Sequence, residues 1–244
     1  MAIHFDALPG ILTSPTKTFE KLKKDANIVD GLKLYIIFAV LAVIISIVIT
    51  AIFVPSLRIP GMSQSEINRT YGIPASILSS IFNLVLNLLI FLGICWLTTK
   101  FVGTISGKKA DFSKTTGMLS YTGAAFYAFI GLPLGVISSI VVWMNMSNVV
   151  SASTGMNGAM NMSFFGPIIL VGIVALLIAI WEWLTAGRAV AVCNGATWGT
   201  GIVTIFLAVI VIMLIAFVAF LAIGLSMLAT GGAFSTTGFA LGGL

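Results

Sequence analysis

The chain has 244 residues, 59% hydrophobic and 8% charged, with twelve Lys and Arg against seven Asp and Glu. Soluble domains carry roughly 25% charged residues; with a mean hydropathy of +1.16, this chain has too little polar side chain to cover a globule. It reads as an all-α polytopic membrane protein.

Some function classes drop out at once. The positive charges lie between apolar runs, not in a basic patch on a soluble fold, so nucleic acid is not an expected partner. The only histidine is His4, and Cys95 and Cys193 have no CxxC or zinc spacing. No paired carboxylates are present, so metal-dependent and His-based catalysis have little to work with. No enzyme activity and no cofactor are expected.

Residues 1–30 form a cytoplasmic segment. They lack the basic, apolar and small-residue regions of a cleavable signal peptide, so the first apolar run is expected to act as an uncleaved anchor. Within "LTSPTKTFEKLKKD", Ser14 is expected to cap a helix with Pro15 at its first position. Phe19, Leu22 and Ala26 recur at helical spacing among lysines, which predicts a short helix on the inner membrane surface. Such a helix either sets topology alone or offers a docking surface to a cytoplasmic partner.

Residues 31–230 form the membrane domain. About 20 apolar residues cross the hydrocarbon, and five runs are long enough: about 32–54, 75–102, 117–143, 164–190 and 199–228. None alternates as a barrel strand does, so five transmembrane helices in a bundle are predicted. With the N-terminus inside, Lys17, Lys21, Lys23, Lys24, Lys33, Lys100, Lys108, Lys109, Lys114 and Arg188 are inside and only Arg58 and Arg69 outside. This bias sets orientation and places the C-terminus outside. Trp96, Trp181, Trp183 and Trp198 then mark the inner boundary and Trp143 the outer one, as aromatic belts do.

In span two, Ser76, Ser80, Asn83 and Asn87 share one helical face. That face is expected to point into the bundle, as interhelical glue or as the wall of a polar cavity. Gly103 and Gly107 are turn residues in the basic inner loop. Pro133 should kink span three, and Gly131 and Gly135 around it form a GxxxG pair permitting close helix approach. Outside lie three Asn-x-Ser/Thr sequons, with Asn68 and Asn161 as candidate glycosylation sites and Asn145 close to the membrane. The repeated Met-Asn-Met-Ser reads as interfacial filler or, less simply, a soft-metal pair without His or Cys support. Residues 231–244 form a Gly-rich outer tail.

Glu182 is the only acid embedded in or bordering a span. It lies between Trp181 and Trp183 near the end of span four. At the bilayer centre it would cost on the order of 3 kcal/mol, which the aliphatic run before it can offset. Six residues place Arg188 about 240° away, so the two should not pair along the helix. Glu182 reads either as an interfacial anchor or as a buried acid hydrogen-bonded to Thr98, Thr99, Tyr121 or Thr122. Arg188 is expected to reach the inner headgroups.

The order of "SPTKTF", a Gly-Lys-rich inner loop, "LSYTGAAFYAFIGLPL" and a Trp-led fourth span running into "LTAGRAVAVCNGATWGTG" resembles the Yip family of Rab-GTPase-interacting integral membrane proteins. The resemblance covers about residues 12–228. It implies five spans, an inside N-terminus, and a role in membrane trafficking or bilayer organisation through cytoplasmic contacts. Tyr121, Pro133, Trp181 and Arg188 are the family-like positions. The long N-terminal region of eukaryotic members is missing, which points to a bacterial or archaeal relative in the cytoplasmic membrane. The expected function is therefore a non-enzymatic scaffold or adaptor whose partners are the bilayer and membrane or cytoplasmic proteins at the basic inner segments. The alternative is a small transporter or channel using the polar face of span two and Glu182.

Overall fold

The structure is a computed structural model that describes residues 4–57, 61–141 and 165–229. Side chains are described for all of these except 165–168 and 223–229. Regular structure among them is helical throughout. Two short helices, α1 (Ala7–Thr13) and α2 (Pro15–Leu22), precede α3 (Ile28–Phe53). A 3-10 turn, Val54–Ser56, and the short α4 (Gln64–Tyr71) lead to α5 (Ile73–Ser106). Next come α6 (Phe112–Phe126), a π-helical turn (Tyr127–Gly131) and α7 (132–141). The last two helices are α8 (Phe165–Asn194) and α9 (Trp198–Ala229). Five helical segments are long and apolar enough to cross a membrane. Asn145, Asn161, Trp143, the Met-Asn-Met-Ser repeats, Arg58 and the Gly-rich tail lie outside the described residues.

The chain divides into two compact units. The first comprises residues 1–34, 85–122 and 183–244, the second 35–84 and 123–182. Among the described residues, the first unit carries Lys17, Lys21, Lys23, Lys24, Lys33, Lys100, Lys108, Lys109, Lys114 and Arg188, whereas the second carries Arg69 alone. The two sets separated by Lys/Arg bias in the sequence are thus also separated by contact.

The N-terminal segment belongs to the first unit and differs from expectation. Ser14 ends α1, its amide bonding to Gly10 O at 2.8 Å, and its side chain does not cap α2. Its carbonyl instead receives both the Thr18 amide and the Thr18 hydroxyl. The apolar stripe of Phe19, Leu22 and Ala26 is buried inside the protein together with Leu8 and Ile11, not spread on lipid. An amphipathic pattern specifies a partner surface without saying whether that surface is bilayer or protein.

Pro133 acts as expected in kind but not in form. It has no N–H, and its ring crowds the carbonyl four residues back. The chain accommodates this by widening into the π turn just before it, with the Leu132 amide reaching Tyr127 O. The GxxxG reading of Gly131 and Gly135 fails. Among the described residues a Cβ on Gly135 would meet nothing within 4 Å, and one on Gly131 would touch only its own helix. In the second unit, Val54, Leu57 and Ile67 form a small cluster under α4, whose start is fixed by a Ser63–Glu66 capping box.

Candidate functional site

The lysine-bearing first unit is built on close helix crossings. A Cβ on Gly31 of α3 would lie 2.7 Å from Gly117 O, and one on Gly117 of α6 2.5 Å from Asn27 O. A Cβ on Gly201 of α9 would overlap the Gly187 carbonyl of α8, and one on Gly187 would lie 2.5 Å from Ile202 Cγ1. In lipid the apolar surface of one helix gains little by leaving acyl chains for another helix. Small residues that bring backbones together therefore carry the packing. Around these crossings Cys95, Val102, Leu119, Ala186, Val190 and Ile205 form one buried cluster. Both cysteines are free and buried.

A layer of buried hydroxyls sits among these helices. Of the buried polar residues described, all but Thr50 belong to the first unit: Thr18, Asp30, Thr98, Thr99, Thr115, Thr116, Ser120, Thr122, Thr185 and Thr204. Several are satisfied by their own helix, as Thr99 to Cys95 O at 2.8 Å and Thr122 to Met118 O at 2.9 Å. Thr98 Oγ1, Thr116 Oγ1, Ser120 Oγ and Asp30 Oδ1 are buried without a hydrogen-bond partner. Asp30 is held at the start of α3 by a reciprocal cap: Asn27 Nδ2 donates to Asp30 Oδ2 at 2.8 Å, and the Asp30 amide to Asn27 Oδ1 at 2.9 Å. The Ile28 amide reaches Ser113 Oγ at 3.2 Å, tying that cap to α6. Sequence reasoning named only Thr98, Thr99 and Thr122 of this layer, as partners for Glu182, although "SKTTGMLSYT" carries its signal: hydroxyls recurring three and four residues apart inside an apolar run.

The α8–α9 hairpin explains "LTAGRAVAVCNGATWGTG". Gly195 turns the chain at a φ of +63°, a conformation glycine adopts without steric cost. Trp198 Nε1 donates to Leu184 O at 3.2 Å, and the Arg188 guanidinium stacks 5.1 Å from the Trp198 ring. Arg188 is thus half-buried against an aromatic face. Asn194 ties the end of α8 to α6, donating to Thr115 Oγ1 at 3.1 Å and accepting from the Asp111 amide at 3.4 Å.

Each of the remaining expected residues has its own surroundings. Glu182 is half-buried, with no hydrogen bond or ion pair among the described residues. Of the hydroxyls nominated for it, Thr99 and Thr122 bond carbonyls of their own helices and Thr98 is unpartnered among the described residues. Its neighbours are anchored edge-on: Trp181 to Phe126 at 5.4 Å in the second unit, and Trp183 to Phe206 at 6.0 Å in the first. Tyr121 is 1% exposed and lies near the His4 backbone and the Asp6, Asp25 and Asp30 carboxylates. Of the polar face on span two, Ser76 bonds Thr50 at 3.3 Å, joining α3 and α5 in the second unit. Asn83 is half-buried and Asn87 exposed, contrary to the expectation that the whole face points inward. Pro133 is exposed, as is Asn68 on α4. No cluster of three or more His, Cys, Asp or Glu that could hold a metal occurs among the described residues.

A family model, the Yip1 domain, matches residues 10–220. Neither a curated protein nor a solved structure matches the chain. Because the match spans most of the chain and reaches into the last of the five apolar helices, the protein is a multi-pass membrane protein belonging to the Yip1-domain family.

Proposed function

We propose that the chain is a non-enzymatic scaffold or adaptor in membrane organisation or trafficking. In this reading the N-terminus and first-unit lysines face the cytoplasm and the C-terminus faces out. The observation that carries it is the coincidence of charge with packing. Exposed Lys17, Lys21 and Lys24 on or just beyond α2, and Lys108, Lys109 and Lys114 at the α5–α6 connection, decorate the unit with the tightest helix crossings. A rigid end carrying mobile cations suits recognition of a partner better than passage of a solute. Its host is the cell membrane, the cytoplasmic membrane if the source is prokaryotic.

The reading is tested with a photo-crosslinker at Lys21 or Lys109 of the full chain in its native membrane, against one at Ile173, a lipid-exposed position of the second unit. A recurrent protein neighbour from the lysine positions and none from Ile173 is expected. The same scatter of products from all three positions would sink the idea. Accessibility labelling of single cysteines at residues 21 and 240 tests the orientation separately, with protection reversed between the two faces.

A further inference from the structure

The sequence treats the connection between α5 and α6 as a basic loop. The structure makes it a pocket. A cavity of about 580 Å³ opens at the end of α5, lined by Trp96, Lys100, Thr104, Lys108, Lys109 and Phe112, among others. That volume is in the range of small-ligand clefts. We propose that this pocket binds the phosphate headgroup of an anionic lipid, with the acyl chains leaving along Trp96 and Phe112.

Three observations point to an amphiphilic anion. First, the lining holds three ammonium groups and no carboxylate. The nearest acid along the chain, Asp111, is used as the cap of α6, accepting from the Lys114 amide at 3.2 Å. Second, the hydroxyls are not the recognising groups: Thr99 donates to Cys95 O and Thr104 to Lys100 O at 3.1 Å. The available donors are therefore cationic. Lys108 Nζ donates to Gly195 O, which fixes its head while leaving other N–H bonds free. The Lys100 ammonium lies 5.8 Å from the Trp96 ring and is held at the rim. Third, two aromatics share the lining, and both are exposed, Trp96 by 53% and Phe112 by 37%. A soluble phosphate would have no use for them. A lipid would, because Trp96 marks the depth where headgroup meets hydrocarbon. Gly103 also lines the pocket, and a Cβ there would come no nearer than 3.6 Å to the Lys108 carbonyl. Bare backbone at this position keeps the floor open.

Basic pockets at the ends of membrane helices select anionic headgroups, each Lys near the surface contributing about fivefold in association. The proposal requires only that α5 cross a bilayer.

The test uses the full-length protein in nanodiscs of phosphatidylcholine doped with phosphatidylglycerol, with retained lipid counted by native mass spectrometry. Retention of phosphatidylglycerol over phosphatidylcholine is expected. It should fall about fivefold in Lys109→Gln and on the order of a hundredfold in Lys100→Gln/Lys108→Gln/Lys109→Gln. The triple Arg variant should keep it. Gly103→Phe, which fills the cavity without changing charge, should also lose it. Equal retention of the two lipids by the wild type, or a preference that survives both the triple Gln variant and Gly103→Phe, would overturn the proposal. Displacement of phosphatidylglycerol by millimolar inorganic phosphate would overturn the lipid assignment in favour of a free anion.

Discussion

The two units of the molecule are made of the same kind of apolar helix, yet they are stabilised differently. The first buries Thr, Ser, Ala and Gly at its crossings and exposes its lysines. The second buries little, and both units expose long apolar side chains, Leu214, Phe217 and Phe220 in the first and Ile44, Leu78 and Leu176 in the second. In water such a surface would be an anomaly, since it drives collapse. In a bilayer, lipid covers it without penalty, and close packing has to come from small residues and hydrogen bonds instead. The difference teaches that the apolar content of a span decides where it sits. Which residues hold it to its neighbours is decided by its smallest and its most weakly polar side chains.

The strongest way to break the comparison is at α8 and α9. Gly201→Leu puts a side chain where the Gly187 carbonyl already lies, with the Ala191 amide 3.2 Å from the new Cβ. Backbone cannot step aside as a side-chain tip does, so the helices must part. A loss of about 3 kcal/mol is expected, at the high end for overpacking. It is read as a lowered thermal midpoint in detergent, by fluorescence of Trp183 and Trp198. An unchanged midpoint would mean that α8 and α9 do not cross at Gly187 and Gly201.

This crossing also shows where sequence reading ends. The five spans were legible because run length against bilayer thickness is a one-dimensional property, and so was the division of cations that the two units repeat. The partner of each face was not. Gly131 and Gly135 have the spacing of a crossing and make none among the described residues, while Gly187 and Gly201, on different helices, make one. Glu182 was matched by depth to hydroxyls on other spans. Thr99 and Thr122 turned instead to the carbonyl four residues back, an alternative every helical Thr carries with it. The Phe19 stripe was legible as a face and misassigned to lipid, because hydrophobic period alone does not identify what covers it. The π turn before Pro133 was legible only as a disturbance, since a missing N–H specifies a fault and not its repair.

Smaller effects sharpen the contrast. In the first unit, Asn27→Ala removes both arms of the reciprocal cap with Asp30. It leaves a buried carboxylate whose Oδ1 already lacks a partner. A cap alone is worth about 1 kcal/mol, and the stranded charge should push the loss above that in the same thermal measurement. Asn27→Asp, which can still accept from the Asp30 amide but sets two acids together, should do no better than Ala. Recovery by Asp would show that only the acceptor matters. In the second unit, Ser76→Ala removes the hydrogen bond to Thr50. Interhelical bonds of this kind average roughly 0.6 kcal/mol in membranes. Thr50→Val should match it, and the double variant should lose no more than either single change.

The smallest effect is expected at Gly135→Leu, and it bears most directly on the comparison. Gly135 has the same residue type and the same apolar setting as Gly201, but it belongs to the second unit, and among the described residues nothing lies within 4 Å of its Cβ position. If close packing is confined to the first unit, a leucine here meets lipid, and stability should fall by no more than about 0.5 kcal/mol. Exchanging Gly for Leu in a helix is itself favourable by a few tenths to 1 kcal/mol, so a slight stabilisation is the more natural sign. A loss approaching that of Gly201→Leu would require a helix packed against Gly135 in the membrane. Repeating the measurement across protein-to-lipid ratios would then separate a neighbour within the chain from one supplied by a second molecule. Only the latter would make the loss depend on dilution.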